Sequence, residues 1–329
     1  MSATVVTCDN PECRVAETGK CVEGLALEKC TRYGRAPAEA VQTAPKAEIV
    51  ALSSGGRLAL TEAPSLLRAR DSRVIAVLGA RGAGKTSLIA SLFGLFQDGP
   101  VNGFRFVGSR TLIAFEEACH DARAASKRAT PHFERTKLGS FGLYHLTTHS
   151  PPQNAATELL LADRAGEEYM EAADSPSLSK SFLEVRHADV LTLLVDGSRL
   201  LDLRERHNLR NELELMLQAL RDGHALGEGQ RLAIALTKLD EVEGSSNKAQ
   251  AESDFANLVA SISRLFANAF VSIEPFRLAA SPTSDVLPRG HGVSALLGFW
   301  MRAKVPRTVT VHAATPPTRA FGRLTPSLR

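Results

Sequence analysis

The run Val74-Ile-Ala-Val-Leu78-Gly79-Ala80-Arg81-Gly82-Ala83-Gly84-Lys85-Thr86-Ser87 decides the reading of this chain. A short apolar pattern of strand type passes directly into GxxxxGK[ST], and a segment with helical period follows from Lys85 to Phe96. Phosphate groups carry dense negative charge, and backbone amides gathered at a helix N-terminus meet it with many donors and a favourable dipole. Glycines suit such a loop because the chain turns back on itself and a side chain would stand where the phosphate must come. Gly79, Arg81, Gly82, Ala83, Gly84, Lys85, Thr86 and Ser87 are therefore the candidate phosphate-binding residues. Lys85 would bridge the β and γ phosphates, and the Thr86 hydroxyl would bind Mg²⁺. A chance glycine-rich turn is the competing reading, and the strand before and helix after weigh against it.

Outward from this loop, short apolar runs alternate with longer helical patterns, as βα units do. The runs are Val74 to Leu78, Leu159 to Ala162, Val190 to Val195, Leu232 to Leu236 and a weaker one from Val271 to Leu278. Gly142 to Thr148 alternates and would be an antiparallel neighbour of the Leu159 run. Helices are expected over Lys85 to Phe96, Leu112 to Lys127, Arg204 to Asp222, Ala249 to Ala269 and Val293 to Arg302. Runs such as Val190-Leu-Thr-Leu-Leu-Val195 are apolar on both faces, which suits a sheet covered by helices on each side. The expected fold is an α/β three-layer sandwich with a mainly parallel sheet.

Two further strand ends carry chemistry. Leu159-Leu-Leu-Ala-Asp163-Arg164-Ala165-Gly166-Glu167 ends in DxxG, where Asp163 could hold Mg²⁺ through water and Gly166 could offer its amide to a γ phosphate. Leu232-Ala-Ile-Ala-Leu236-Thr237-Lys238-Leu239-Asp240 ends in TKLD, a match to [NT]KxD. A carboxylate accepts from both N1–H and the exocyclic amino group of guanine, and any other base would leave the buried charge of Asp240 unpaired. Lys238 would lay its stem along the base, and Ala280-Ser281 would supply an amide to the guanine O6. Each of these motifs is weak alone; their order along the chain gives them weight.

The 329 residues exceed a usual single domain, and 44% hydrophobic with 23% charged residues excludes a wholly disordered or fibrous chain. No apolar stretch is long enough to span a bilayer, and Asp9 and Glu12 interrupt any signal-peptide core, so a cytoplasmic protein is expected. The net charge of +3 conceals an asymmetry: the first 285 residues carry 32 basic and 36 acidic side chains, and Val286 to Arg329 carries seven Lys/Arg and no acid. A mildly acidic body with a basic tail makes no demand for nucleic acid. The expected divisions are residues 1–34, a cysteine-rich module; 35–70, a linker and small hairpin built from Ile49 to Leu52 and Leu58 to Leu60; 71–303, the main domain with a helical insert near 108–130; and 304–329, an unfolded basic tail.

Cys8, Cys13, Cys21 and Cys30 place four soft ligands within 23 residues. Four thiolates suit tetrahedral Zn²⁺, and so short a segment would need such a clip to fold. Disulfides are disfavoured in a reducing cytosol, and free thiols are the remaining alternative. Cys119 on a helical pattern reads as packing.

The set GARGAGKT, DRAG and TKLD resembles the TRAFAC-class GTPases, which include the Ras-like and translation-factor GTPases, over about Arg73 to Arg302. The run from Val74 to Phe106, the segment GSRTLIAFEEACHDARAASKRATPHFERT and the N-terminal CRVAETGKCVEG look like bacterial double-GTPases. That resemblance implies a P-loop sandwich of Ras-like type, Mg-GTP as ligand, GTP hydrolysis, and a protein effector that could be a second GTPase in a conflict or signalling system. It also implies a switch threonine reaching Mg²⁺ and the γ phosphate; Thr136 or Thr130 could serve, and position favours Thr136.

The sequence departs from that pattern. Thr86 and Asp163 are 77 residues apart, longer than in a minimal Ras-like domain, so the excess could form an effector surface. Glu167 stands where many relatives carry a glutamine that orients the attacking water, and its charge would repel the γ phosphate. Arg81 could crowd that phosphate or act as a built-in arginine finger. The expected activity is slow GTP hydrolysis by a nucleotide-controlled switch. A non-hydrolysing GTP-dependent scaffold and an ATPase with an accidental TKLD are the alternatives.

Overall fold

The computed structural model describes residues 8–10, 12–34, 53–120, 141–150, 155–174 and 176–305. It divides into two compact units, Met1–Leu52 and Ser53–Arg329. In the first, a short helix Val15–Thr18 and a 3-10 turn Leu27–Lys29 are joined by loops, and Cys8 bridges Tyr33.

The second unit is built on seven strands: β1 (Asp71–Leu78), β2 (Arg105–Gly108), β3 (Gly142–Ser150), β4 (Ala155–Asp163), β5 (Val190–Asp196), β6 (Arg231–Thr237) and β7 (Ser272–Arg277). They form one sheet in the order β2-β3-β4-β1-β5-β6-β7. Strands β4, β1, β5, β6 and β7 run parallel, and β3 is antiparallel to both β4 and β2. The expected α/β sandwich is therefore present, and the alternating Gly142 run pairs antiparallel with β4 as expected.

Period 2 sorts the side chains of the central strands between two cores. Leu191, Leu193 and Val195 pack with Leu213, Leu217, Phe255 and Leu258 of the helices Arg206–Asp222 and Lys248–Leu265. Val190 and Leu194 face the other way, into a core with Leu88, Leu92 and Phe93 of the helix Lys85–Asp98 and Leu297 and Trp300 of the helix Val293–Trp300. Helices on both faces explain why β5 and β6 are buried throughout. Trp300 is fully buried and its indole N–H donates to Thr192 Oγ1 at 2.9 Å.

The sheet edge differs from the sequence reading. β2 has four residues with alternate ones exposed, too short to announce itself. Leu58 forms a bridge to Leu143, and the other arm of the expected hairpin, Ile49 to Leu52, lies outside the described residues. A helix Ala63–Ala69 follows, with Leu66 buried against Val74, Leu143 and Leu160. Of the expected insert helix, Leu112–His120 is helical and the rest lies outside the described residues, as does the tail from 306 onward. No helix among the described residues is long and apolar enough to cross a membrane.

Candidate functional site

The site gathers at the carboxyl ends of β1, β4, β5 and β6, where the topology of a doubly wound sheet leaves a crevice. Leaving β1, the chain turns through Gly79, Gly82 and Gly84 with φ of 150°, 78° and 92°, values that side chains rarely tolerate. Gly79 also has Leu194 O 3.2 Å from where a Cβ would stand. The turn delivers Lys85 to the first position of the helix Lys85–Asp98. Its Nζ donates to Gly79 O at 2.9 Å and Ala80 O at 3.0 Å, so the ammonium closes the loop on itself. Burial pushes the Lys85 pKa down, and the carboxylates of Asp163 and Glu167 act in the opposite sense.

Beside this loop, β4 ends at Asp163, whose side chain is 1% exposed. Thr86 Oγ1 donates to Asp163 Oδ2 at 3.5 Å. Two hard oxygens brought together this way, one a buried carboxylate, fit a Mg²⁺ ion. Gly166 closes against the loop so tightly that a Cβ would lie 2.6 Å from Gly79 O and 2.7 Å from Lys85 Nζ. The residue after Ala165 thus packs directly against the phosphate loop. Arg81 and Glu167 pair with each other, Nε to Oε1, at 3.3 Å. Thr136 and Thr130 lie outside the described residues.

The TKLD segment reaches the same crevice. Thr237 Oγ1 bonds Ala83 O at 3.0 Å and Val195 O at 3.2 Å, tying the end of β6 to the phosphate loop and to β5. Lys238 adopts φ 51° and sends Nζ to Asp196 Oδ2 at 2.8 Å. Asp240 is buried at 3% exposure, and its Oδ2 accepts from Thr283 N at 2.9 Å and Thr283 Oγ1 at 3.3 Å. Gly82, Gly84 and Ser87 of the loop line one cavity of about 140 Å³ with Thr237, Lys238, Asp240, Ala280 and Ser281. One ligand can thus touch both motifs.

Two members of this constellation escaped the sequence reading. Asp196, at the end of β5, holds Lys238 and caps the helix Gly197–Leu201 through Ser198 N at 3.0 Å. Its signal was the same as that of Asp163, an acid closing an apolar strand. Thr283 supplies the contact to Asp240, two residues beyond Ser281. Nothing local in the sequence marks it.

In the N-terminal unit, Cys8, Cys13, Cys21 and Cys30 are free thiols, with Cys8 buried. A backbone hydrogen bond from Val22 holds the Cys13 pKa below its ordinary value, with Val15, Cys8 and Cys21 acting the same way against desolvation. The Cys13 sulfur therefore lies beside those of Cys8 and Cys21. Even so, no group of three or more His, Cys, Asp or Glu side chains stands in metal-ligating geometry among the described residues.

The family model described as Double-GTPase 2 matches residues 73–301. Among solved structures, the chain is similar to a bacterial selenocysteine-specific elongation factor EF-Sec, at 16% identity and TM-score 0.33, over 70% of this chain and 28% of that one. It is also similar to the signal recognition particle receptor SRb-GTP/SRX complex from Chaetomium thermophilum, at 14% identity and TM-score 0.38, over 70% of this chain and 96% of that one. This chain thus spans little more than a quarter of the elongation factor. No curated protein matches it.

Proposed function

From the premise that the chain belongs to the Double-GTPase 2 family, a TRAFAC-class group, we propose that it binds GTP in this crevice with Mg²⁺, hydrolyses it slowly to GDP and phosphate, and reports the bound nucleotide to a protein partner. The observation that carries the reading is the single cavity shared by the phosphate loop and Asp240, with Thr237 Oγ1 bonded to Ala83 O between them. A loop alone would say nucleotide; the shared cavity adds a buried carboxylate that the same ligand could reach.

The loop amides and Lys85 would carry the charge of the β and γ phosphates. Lys85 exchanges the carbonyls of Gly79 and Ala80 for phosphate oxygens, and its partial desolvation strengthens that attraction. Mg²⁺, held by the Thr86 hydroxyl and by Asp163 through water, would neutralise charge developing on the phosphate oxygens. Asp240 would accept from N1–H and the amino group of guanine, and Lys238, steadied by Asp196, would cover the ring face. Gly166 would donate its amide to the γ phosphate and so couple the helix Gly166–Asp174 to its presence. Thr136 is the switch threonine we assign.

A scaffold that holds GTP without cleaving it is the second reading, and the Arg81–Glu167 pair favours it, because it engages both side chains that could act on the γ phosphate. The nucleotide that co-purifies, together with single-turnover phosphate release from bound GTP, separates these readings. Guanine nucleotide and measurable release support hydrolysis, whereas bound GTP surviving for hours leaves the scaffold. Adenine nucleotide would remove Asp240 from its role.

The first unit would hold a structural Zn²⁺ between Cys8, Cys13, Cys21 and Cys30, in keeping with the amides directed at the Cys13 sulfur and the adjacent thiols. Zinc measured at one equivalent in the purified protein supports it. Reduced thiols and GTP both suit the cytoplasm, where we place the protein. The partner would be a protein, in the family's pattern a second GTPase.

A further inference from the structure

Gly166 has so little room beside the phosphate loop that its place depends on what holds the residues around it. A Cβ there would stand 2.6 Å from Gly79 O and 2.7 Å from Lys85 Nζ. The holding group is Glu184, further along the chain. Its Oε1 accepts from Arg164 Nε at 2.7 Å and from the Tyr169 hydroxyl at 3.3 Å, and its Oε2 accepts from Arg164 Nη2 at 3.3 Å. One carboxylate thus grips the chain two residues before Gly166 and again three residues after it.

The gripped side chains and their anchor are all fixed. Arg164 also pairs with Glu168, and its guanidinium lies 4.9 Å from the ring centres of Phe141 and Phe182. Tyr169 is fully buried and meets Phe182 edge-on at 5.2 Å. Glu184 sits in the helix Leu183–His187, which the buried amide of Gln230 ties to the sheet by donating to Val185 O at 2.6 Å and Ala188 O at 3.0 Å. None of these residues lines the cavity shared by the phosphate loop and Asp240. Glu184 therefore acts on a ligand there only through the segment it holds.

Resting on the reading that the Gly166 amide meets the γ phosphate, we propose that Glu184 is a positioning residue that raises the affinity for GTP relative to GDP, by holding Arg164 and Tyr169 and with them Gly166. A contact made by a group already fixed costs less ordering entropy than one made by a segment that must be ordered as the ligand binds. GDP brings no γ phosphate, so the saving falls on GTP alone. Discrimination of the third phosphate is thus supported from behind the site, by a carboxylate that touches no nucleotide.

The test is the affinity of the full chain for GDP and for the slowly hydrolysed analogue GTPγS, both with Mg²⁺, in wild type, Tyr169→Phe, Glu184→Gln and Gly166→Ala. Tyr169→Phe removes one grip and keeps the ring against Phe182; Glu184→Gln removes the charge that holds Arg164. In each, GTPγS should weaken about fivefold relative to GDP, with GDP affinity unchanged. Equal weakening of both nucleotides overturns the proposal, because it marks a residue that only supports the fold, and so does an unchanged ratio. Gly166→Ala tests the underlying reading. If it leaves the ratio unchanged, Gly166 does not read the γ phosphate and this inference falls with it. If it shifts the ratio while the Tyr169 and Glu184 variants do not, the role of Glu184 alone is overturned.

Discussion

Arg81 Nε lies 3.3 Å from Glu167 Oε1, so an ion pair joins the phosphate loop to the residue after DRAG. Both side chains are substantially exposed, and an exposed ion pair adds little to stability. On the proposed reading its consequence would be catalytic: the pair would occupy Arg81, and Glu167 lacks the donor group with which a glutamine positions water. Glu167→Gln removes the charge that retains Arg81 and supplies that amide. Single-turnover GTP hydrolysis should rise about tenfold, equal to ~1.4 kcal/mol of barrier, with the melting temperature unmoved. Adding Arg81→Ala to Glu167→Gln should remove the part of that gain that the released arginine supplies. If both variants hydrolyse GTP at the wild-type rate, neither residue acts on the γ phosphate.

Arg164, the second residue of DRAG, belongs to a different kind of contact. It makes a two-pronged bond to Glu184, at 2.7 Å and 3.3 Å, and the Glu184 side chain has no solvent exposure. Its guanidinium also lies 4.9 Å from the ring centres of both Phe141 and Phe182. Removing one partner of a buried pair costs about 3–5 kcal/mol, because the other charge remains. Arg164→Ala should therefore lower the melting temperature by about 10 °C. The double variant Arg164→Met with Glu184→Leu should recover only part of the loss, since it removes the orphan charge of Glu184 but leaves Glu168 without its arginine and the buried Tyr169 hydroxyl without its acceptor. A single variant that melts like wild type would show that the pair carries no weight.

How much of this was legible in the sequence follows from the range of the interactions. The phosphate loop was readable because its geometry is local: strand, glycines, Lys85 and helix are contiguous. Strands β5 and β6 were readable because helices on both faces make every position apolar. The helix Ala63–Ala69 was missed, although Pro64 stands in its first turn, because seven residues burying only Ala63 and Leu66 leave little period to detect. Thr283 was missed for another reason. Its approach to Asp240 depends on a loop closed by Gly290 N donating to Ala279 O at 2.9 Å, a return across eleven residues. The bridge of Leu58 to Leu143 was missed likewise, since no pattern within the chain announces a single pairing across 85 residues.

His145 gives the fold an acid sensitivity of predictable sign. Its Nδ1 accepts from Arg110 N at 3.0 Å, so the ring proton sits on Nε2 and is donated to Glu158 Oε2 at 2.9 Å. Burial lowers the His145 pKa, with Glu158 opposing and Arg110 adding to the effect. As pH falls through about 6.5 the unfolded chain takes up a proton at this residue that the folded chain refuses. The stability that His145 contributes is therefore present above that pH and lost below it. Between pH 7.5 and 5.5 the wild-type melting temperature should fall more steeply than that of His145→Gln, whose amide can bridge the same partners without titrating. Parallel slopes would remove His145 as the source.

Asp240 offers the most direct test of the ligand. The Thr283 amide and hydroxyl both approach Oδ2, which leaves Oδ1 and the remaining lone pairs of a buried carboxylate for the base edge. Hydrogen bonds to a charged group contribute about 1.5–3 kcal/mol each, so losing the pair made with guanine should weaken GTP binding by about 10²-fold or more. In Asp240→Asn the amide donates where the carboxylate accepted. Guanine presents an amino group there and is repelled, whereas xanthine presents a carbonyl and is accepted. The variant should therefore lose GTP and gain xanthosine triphosphate, with Thr283 still bonding the remaining amide oxygen and the melting temperature of the nucleotide-free protein little changed. A loss of both nucleotides with a lowered melting temperature would mean that Asp240 serves only to hold the Thr283 loop.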